Sequence, residues 1–495
     1  MSNLEEIRAE RIDKIEKIKA ANMDPYAIST ARTISIKDFV ENFLELEKSG
    51  KEHVLAGRIM ARRGHGALAF LDLNDGTSRI QVLIKQDLIG EKELEVFDNT
   101  VDVGDFVEVT GAALTTERGA QSLEAKSWNM LTKSILPLPK EHFGIKDEDD
   151  KFRKRYLDIL LDEEVADMVQ KKSKFWNVMR SFLLDQGYTE VETPVLENTT
   201  GGAEAEPFTT HHNALDIDVY LRISPELWLK KLMVAGVPKV FEIGRIFRNE
   251  GMSNEHLQDY TQIEFYEAYS DYTKGMEMVK ELYRKVAHDV FGTGKFIIKG
   301  HEVDLDAEWE VYNFSEIIEE RFGINPITEI YTKTGKKVEL KELEDICEKA
   351  GIEYEHVAHN ITRTIDNLWK SIRKEFSGPG FLIGIPKQME PLAKSSEVDD
   401  RIVERFQVIL AGSEMGKGFS ELNDPQDQRA RFEEQQQMRD AGDEEAQMAD
   451  MTYVEALEHG MPPTFGFGVS ERLFSFLMDK NIRETQIFPL MRPKE

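Results

Sequence analysis

Arg248, Glu250 and Tyr260 are where chemistry would begin in this chain of 495 residues. In the run FEIGRIFRNE, strand alternation puts Arg248 and Glu250 on one face and Phe247 and Asn249 on the other. The planar donors of an arginine match two oxygens of a phosphate or a carboxylate at once. A glutamate beside it accepts from an exocyclic amine, and a tyrosine ring stacks on a base. The return run YTQIEFYEAY places Tyr260, Gln262, Glu264 and Tyr266 on one face, with Ile263 and Phe265 on the other. Gly251 to Asp259 is read as the loop between two strands. Charge alternation by itself is equally the mark of an amphipathic hairpin with a solvated face, so companion motifs must decide.

The phrase FRNEG followed by an E-F-Y strand resembles motif 2 of the class II aminoacyl-tRNA synthetases. The resemblance implies that Arg248 holds the α-phosphate of ATP and the amino-acid carboxylate. It further implies that Glu250 recognises adenine, that Tyr260 packs on the purine, and that His256 in the loop joins the ATP site. Farther on, MPPTFGFGVSERLFSFLMDKNIRETQIFPLMRP resembles motif 3, with Arg472 on the ATP γ-phosphate; its glycine run is about one residue shorter than the commonest lysyl form. Arg248 and Arg472 are thereby the expected catalytic residues.

Two further stretches are similar to the lysyl members of that class. In GGAEAEPFTTHHNALDIDVYLRISPELWLKK, small residues permit close backbone approach to a ligand, and the resemblance puts Gly202 and Glu226 on the substrate α-ammonium. In RFQVILAGSEMGKGFSELND, Lys417, Phe419 and Glu421 alternate along one strand face. By resemblance Glu421 pairs with the lysine ε-ammonium, Phe419 packs on its methylenes, Tyr266 hydrogen-bonds its end, and Glu264 completes the acidic pocket. The family often has Asn where Lys417 stands, and a cation there suits the lysine carboxylate. A Mg²⁺ bridging ATP phosphates needs hard oxygen ligands. The family supplies two acids seven positions apart, and this chain offers Gln407 and Glu414. His211 and His212 are adjacent on a strand, face opposite ways and are read as structural. His356 and His359 lack metal-binding spacing, so no zinc site is expected.

These residues need elements to hold them. Ile7, Ile12, Ile15 and Ile18 have helical spacing within residues 4–22, a surface helix. From Val54 to Leu131 short strands replace helices, with Asn74-Asp75-Gly76 as a turn signal and a helical stretch GEKELEVFDN inside the series. Five strands so interrupted fit an OB-fold, a barrel that often binds oligonucleotides. It resembles the anticodon-binding barrel of the aspartyl, asparaginyl and lysyl synthetases, which implies Arg58, Phe70 and Gln81 as anticodon contacts. Ala67 stands where a basic residue often precedes the aromatic, and from pattern alone Phe70 is a core residue. The Pro-containing, acid-ended segment 134–150 is the expected linker. After it, an amphipathic helix over 164–186 and GYTEVETPVL, read as a strand ending at Pro194, resemble motif 1, which builds a dimer interface. Residues 314–376 look like the helical insertion between motifs 2 and 3, and the acidic stretch 433–450 is read as a solvated helix face.

Bulk properties agree with that frame. The chain is too long for one core. Its 40% hydrophobic and 31% charged composition is that of a globular protein. A net charge of −29 argues against nonspecific nucleic-acid binding through a globally basic surface and requires a local patch instead. No run of about 18 apolar residues is present to cross a bilayer, and the first residues lack a signal-peptide core. Cys347 is the single cysteine, which excludes an intramolecular disulfide and fits a reducing cytosol.

The expectation is an α+β chain. It comprises an extension over 1–53, an OB-fold barrel over 54–133, a linker over 134–150, and a class II catalytic domain over 151–495 with an antiparallel sheet flanked by helices. The resemblance implies a cytoplasmic homodimer that joins L-lysine to tRNA(Lys) with ATP and Mg²⁺. An aspartyl or asparaginyl enzyme would set acids against an acidic or neutral substrate at Glu226, Glu264 and Glu421. A paralogue that lysylates a protein resembles the catalytic domain alone. A noncatalytic RNA-binding relative is at odds with the retained Arg248, Glu250 and Arg472.

Overall fold

The computed structural model describes the chain except residues 1, 65, 140–144, 252, 328–339, 353–360, 441–445 and 495. It divides into two compact units, Met1–Leu161 and Asp162–Glu495.

The first unit opens with helix α1 (Ser2–Ala20), which buries Ile18 while Ile12 stays exposed. Five strands follow: β1 (His53–Arg63), β2 (Leu68–Asn74), β3 (Arg79–Lys85), β4 (Phe106–Thr115) and β5 (Gln121–Thr132). They close into a barrel in the order β1-β2-β3-β5-β4. Closure removes the free edges along which sheets aggregate. Alternation decides the lining: Ala69, Leu71 and Leu73 of β2 point into the core, and Phe70, Asp72 and Asn74 face out. Phe70 is therefore not a core residue, contrary to what its apolar neighbours suggest. The β2–β3 turn forms where expected, with Asn74 Oδ1 accepting from Gly76 N at 2.7 Å. Helix α2 (Glu91–Thr100) sits between β3 and β4 and packs Phe97 edge-on to Trp128 at 5.1 Å.

The second unit is built on an eight-stranded sheet. Helix α3 (Glu163–Asp185) enters it, with Asp162 as its N-cap accepting from Glu164 N and Val165 N. Strand β6 is only Thr189–Glu190, parallel to the next strand through Val240↔Thr189 and Phe241↔Glu190. The longer strand expected up to Pro194 does not form. Thr193 donates its backbone N–H and hydroxyl to Glu242 Oε2 instead, and Pro194 has no N–H for a ladder.

Strands β7 (Lys239–Phe247) and β8 (Asp259–Ala268) are the hairpin. Then come β9 (Glu310–Asn313), β10 (Gly380–Ile383), β11 (Arg405–Leu410), β12 (Ser413–Ser420) and β13 (Thr464–Ser470). The order across the sheet is β9-β10-β11-β12-β13-β8-β7-β6. The six inner strands are antiparallel, with parallel pairs only at the two edges.

One face of this sheet is closed by α3 and by α4 (Tyr272–Val286) around Ile263, Phe265, Phe406, Phe465 and Phe467. Burying each such side chain stabilises the fold by about 1.5–3 kcal/mol. The other face holds the polar residues. Helices Phe314–Phe322, Leu340–Ala350 and Ile361–Ile372 occupy the described parts of the 314–376 region, and the last buries Ile365, Leu368, Trp369 and Ile372. His356 and His359 lie outside the described residues.

The 433–450 stretch is more than a solvated face. Helix Pro425–Asp440 buries Gln428, Arg431, Phe432 and Gln435, and Gln447 and Asp450 beyond it are buried too. Their polar heads are buried with internal partners, Arg431 Nη1 donating to Ala393 O at 2.7 Å and Gln428 Nε2 to Pro391 O at 3.3 Å, which composition alone does not reveal. Among the described residues, no helix is long and apolar enough to cross a membrane.

Candidate active site

The polar face works because of glycines on β13. Across β12, β13 and β8 the register runs Lys417–Gly468–Glu264 and Phe419–Gly466–Tyr266. A Cβ on Gly466 would overlap Glu421 and Tyr266. Alternate Phe465, Phe467 and Val469 of the same strand fill the opposite core. The glycine–aromatic alternation thus hollows one face of the sheet while anchoring the other. The hollow is a cavity of about 430 Å³.

Of the residues expected from sequence, Gly202, Arg248, Glu250, His256, Tyr260, Glu264, Gln407, Glu414, Lys417 and Arg472 line this cavity together. β7 ends at Phe247, so Arg248 and Glu250 stand just past the strand. Arg248 N donates to Gln258 O at 2.8 Å, which keeps the pair in register with the return strand. The Arg248 guanidinium lies 5.8 Å from the Tyr260 ring centre, and its Nε has no partner among the described residues. A buried donor without a partner is costly and marks a place for an anion.

Arg472 Nη2 donates to Glu414 O at 2.7 Å and sits 3.6 Å from Glu255. His256 Nδ1 is 2.9 Å from Ser253 Oγ, and burial together with Arg472 lowers its pKa, which favours the neutral form.

Behind the cavity wall is a closed layer of charge, with Glu226, Tyr266, Phe419 and Glu421 all buried. Glu264 joins it to the cavity, accepting from Ser224 Oγ at 2.7 Å, Gln262 Nε2 at 2.6 Å and Tyr266 OH at 2.9 Å. Burial, then the Glu226 charge, pushes the Glu264 carboxyl up to about 7. Gly202 has φ +85°, and a Cβ there would come within 2.7 Å of Glu226 Cβ, so only glycine brings backbone this close to the acid.

Sequence reasoning missed the cation at the centre. Lys230 is fully buried; its Nζ donates to Glu226 Oε1 at 2.6 Å and pairs with Glu421. Burial alone would lower its pKa, but Glu226 and Glu421 hold it above the ordinary value. The i, i+4 spacing of Glu226 and Lys230 was the available signal. Glu390 was also missed: it pairs with Lys417 at 3.0 Å, so Lys417 does not stand free for a substrate carboxylate. Arg405, Gln447 and Trp369 also line the cavity unforeseen, as do Glu204, Glu255, Arg363 and Asp366.

The divalent-cation pair is only half supported. Glu414 presents a carboxylate whose Oε1 accepts from Trp369 Nε1 at 2.8 Å, with Arg373 at 3.6 Å. Gln407 does not fit as a ligand: its Oε1 accepts from Arg405 Nη2 at 2.6 Å and its Nε2 donates to Gly416 O at 3.0 Å. In the barrel, Arg58 donates to Gly104 O at 3.2 Å and stacks 4.2 Å over Phe106, while Gln81 accepts from Ser122 Oγ at 3.0 Å. Phe70 is half-buried on the outer face, opposite Arg63 in the β1–β2 register. His211, paired with Asp218 at 2.9 Å, and His212 are exposed on a short strand (Thr209–His212).

Comparison with known proteins agrees with this geometry. The family model described as tRNA synthetases class II (D, K and N) matches residues 147–492. The chain belongs to the class II tRNA synthetases. An OB-fold nucleic acid binding domain model matches residues 53–131 of this synthetase. It is 39% identical to the lysine–tRNA ligase of Thermotoga maritima, over 99% of this chain and 97% of that one. To that of Halalkalibacterium halodurans it is 39% identical over 99% and 98%. The family is one of ATP-dependent ligases.

Proposed function

We infer that this synthetase is a lysine–tRNA ligase: it activates L-lysine with ATP and transfers the lysyl group to tRNA(Lys). Full-length similarity to proteins of that name supports the activity. The observation that carries the amino-acid choice is the charge of the closed layer. Glu226, Glu264 and Glu421 offer up to three negative charges against the one ammonium of Lys230. The remaining acidity suits a substrate with two ammonium groups, and an aspartate side chain would meet repulsion instead.

In this reading Arg248 holds both the lysine carboxylate and the α-phosphate, placing a carboxylate oxygen in line with phosphorus. That oxygen attacks, the α–β phosphoanhydride breaks, and lysyl-adenylate and pyrophosphate result. A terminal ribose hydroxyl of tRNA then attacks the acyl carbon, and AMP leaves. Arg472 neutralises the departing pyrophosphate, Glu250 and Tyr260 seat the adenine, and His256, as a neutral donor or acceptor, sits beside the phosphates. No nucleophilic side chain is needed, since positioning and charge neutralisation carry such reactions. Glu414 is the side chain that would meet a Mg²⁺ bound to ATP, and such an ion would shield the phosphate charge.

The outer face of the barrel, with Phe70, Arg58 and Gln81, is assigned to the tRNA anticodon, Phe70 by stacking. A homodimer through α3 and the segment after it, and a cytoplasmic location, follow from the same reading. The domain limits proposed are an extension to residue 53, the barrel to 133, a linker to 150 and the catalytic part beyond, with the helical insertion at 314–376.

The test is ATP–pyrophosphate exchange with each of the twenty amino acids. Exchange with lysine alone supports the assignment. Exchange with aspartate or asparagine and not lysine would move the enzyme elsewhere in its class.

A further inference from the structure

One edge of the cavity carries a continuous chain of contacts that the reaction above does not use. Glu390, buried and 5% exposed, meets Lys417 Nζ through both oxygens, at 3.0 and 3.1 Å. Arg405 Nε lies 2.9 Å from the same carboxylate. Arg405 Nη2 then donates to Gln407 Oε1, and Gln407 Nε2 donates to Gly416 O. Burial alone would raise the Glu390 carboxyl, yet Lys417 and Arg405 hold it below the ordinary value. Two fixed cations against one carboxylate leave this edge positive by one charge.

Gln407 stands where the resemblance implies an acid that ligates a metal. It is neutral, and the one atom with which it would hold a hard cation already accepts from a guanidinium. A divalent ion there would have to displace Arg405 and sit among positive charges, which is unfavourable in a cavity of low dielectric. Lys417 differs in the same sense, since the family often has a neutral Asn at that place. One departure removes negative charge and the other adds positive charge, both at the edge where the phosphates would lie.

We propose that the Lys417–Glu390–Arg405 cluster supplies, as fixed side-chain charge, what a second divalent cation would bring to the Gln407 edge. A single divalent cation, carried in with ATP and met by Glu414, then serves activation. Preorganised cations stabilise developing phosphate charge without reorganising at the moment of reaction. Glu390 is the positioning residue, because it fixes where the two cations stand. The inference rests on the synthetase reading of the site.

Mn²⁺ titrated into the full-length protein with lysine and α,β-methylene-ATP, its free form counted by electron paramagnetic resonance, gives the number bound. The expected result is one Mn²⁺ per chain, and two or more with lysine-dependent exchange intact overturns this inference alone. Lys417→Met should lower the kcat of exchange by about tenfold or more, and Lys417→Arg should restore most of it. A Met variant within about twofold of the unmodified protein, or an Arg variant no better than Met, overturns it as well. No lysine-dependent exchange by the unmodified protein would overturn the synthetase reading and this inference with it.

Discussion

The two ends of the cavity are built on opposite plans. At the amine end, Glu226, Glu264, Tyr266 and Lys230 are hydrogen-bonded in a buried layer, and Glu421 is ion-paired to Lys230 with neither of its oxygens hydrogen-bonded among the described residues. At the phosphate end, Arg248 has a buried Nε without a partner among the described residues, and Lys417 and Arg405 share the one carboxylate of Glu390. A closed, mutually bonded layer is suited to choosing a substrate, because a wrong group leaves charges stranded. An end with cations in reserve is suited to charge that appears only as the reaction proceeds. Specificity and rate should therefore break separately.

Apart from the test of the central claim, the largest effect should come from the phosphate end. Arg248→Ala and Arg472→Ala should each cost roughly 3 kcal/mol of transition-state stabilisation, about a hundredfold in exchange rate. Circular dichroism and melting should stay near those of the unmodified protein. Near-normal exchange in Arg248→Ala would remove the catalytic assignment.

Next in size is the barrel, which should affect neither end. Phe70→Ala should weaken tRNA charging by about 1–3 kcal/mol of lost stacking. Lysine-dependent exchange should be unchanged. A joint fall of both activities with a lower melting temperature would mean that Phe70 is structural.

The smallest effect is a pH dependence confined to the amine end. Burial and the Glu226 charge push the Glu264 carboxyl up to about 7. A lysine ammonium favours the ionised form, so lysine affinity should rise with pH through about 7, by at most about tenfold per unit. ATP affinity should not follow that profile. For stability the sign is opposite: with a raised folded-state pKa, the contribution of Glu264 is complete below 4.5, the unshifted value, and is lost as pH rises towards 7. Glu264→Gln should thus gain in melting temperature relative to the unmodified protein between pH 5 and pH 8. A pH-independent lysine affinity would show that the layer carries no exchangeable proton.

Where local pattern decided structure, the sequence was easily read. Period-2 alternation located β8 and β12 and put Tyr260, Gln262, Glu264 and Tyr266 on one face, since one face must be buried. The barrel strands and the Asn74–Gly76 turn were legible for the same reason. Long-range pairing was not. Glu390 sits in IPKQMEPLAK with no periodic signal, and only the β11–β12 pairing brings Arg405 and Lys417 to it. Lys230 has only its i, i+4 spacing from Glu226 as a local signal, and its second partner, Glu421, lies far along the chain. Gln407 showed its identity in the sequence, but that its oxygen accepts from Arg405 is visible only in three dimensions. The missing strand before Pro194 was lost to a side-chain acceptor, Glu242, that no local pattern announces.

The central claim is that the amine end selects lysine, and Glu421→Gln tests it most directly. In the structure Glu421 pairs with Lys230, so melting temperature is read beside the kinetics; in the synthetase reading the same carboxylate meets the lysine ε-ammonium, and breaking a buried charge pair costs about 3–5 kcal/mol. Exchange kinetics should therefore show a lysine KM raised at least about a hundredfold, with the ATP KM within about twofold. Ornithine, one methylene shorter, should be a poorer substrate of the unmodified enzyme by roughly 10- to 200-fold. An unchanged lysine KM in Glu421→Gln, or ornithine used as well as lysine, would contradict the account.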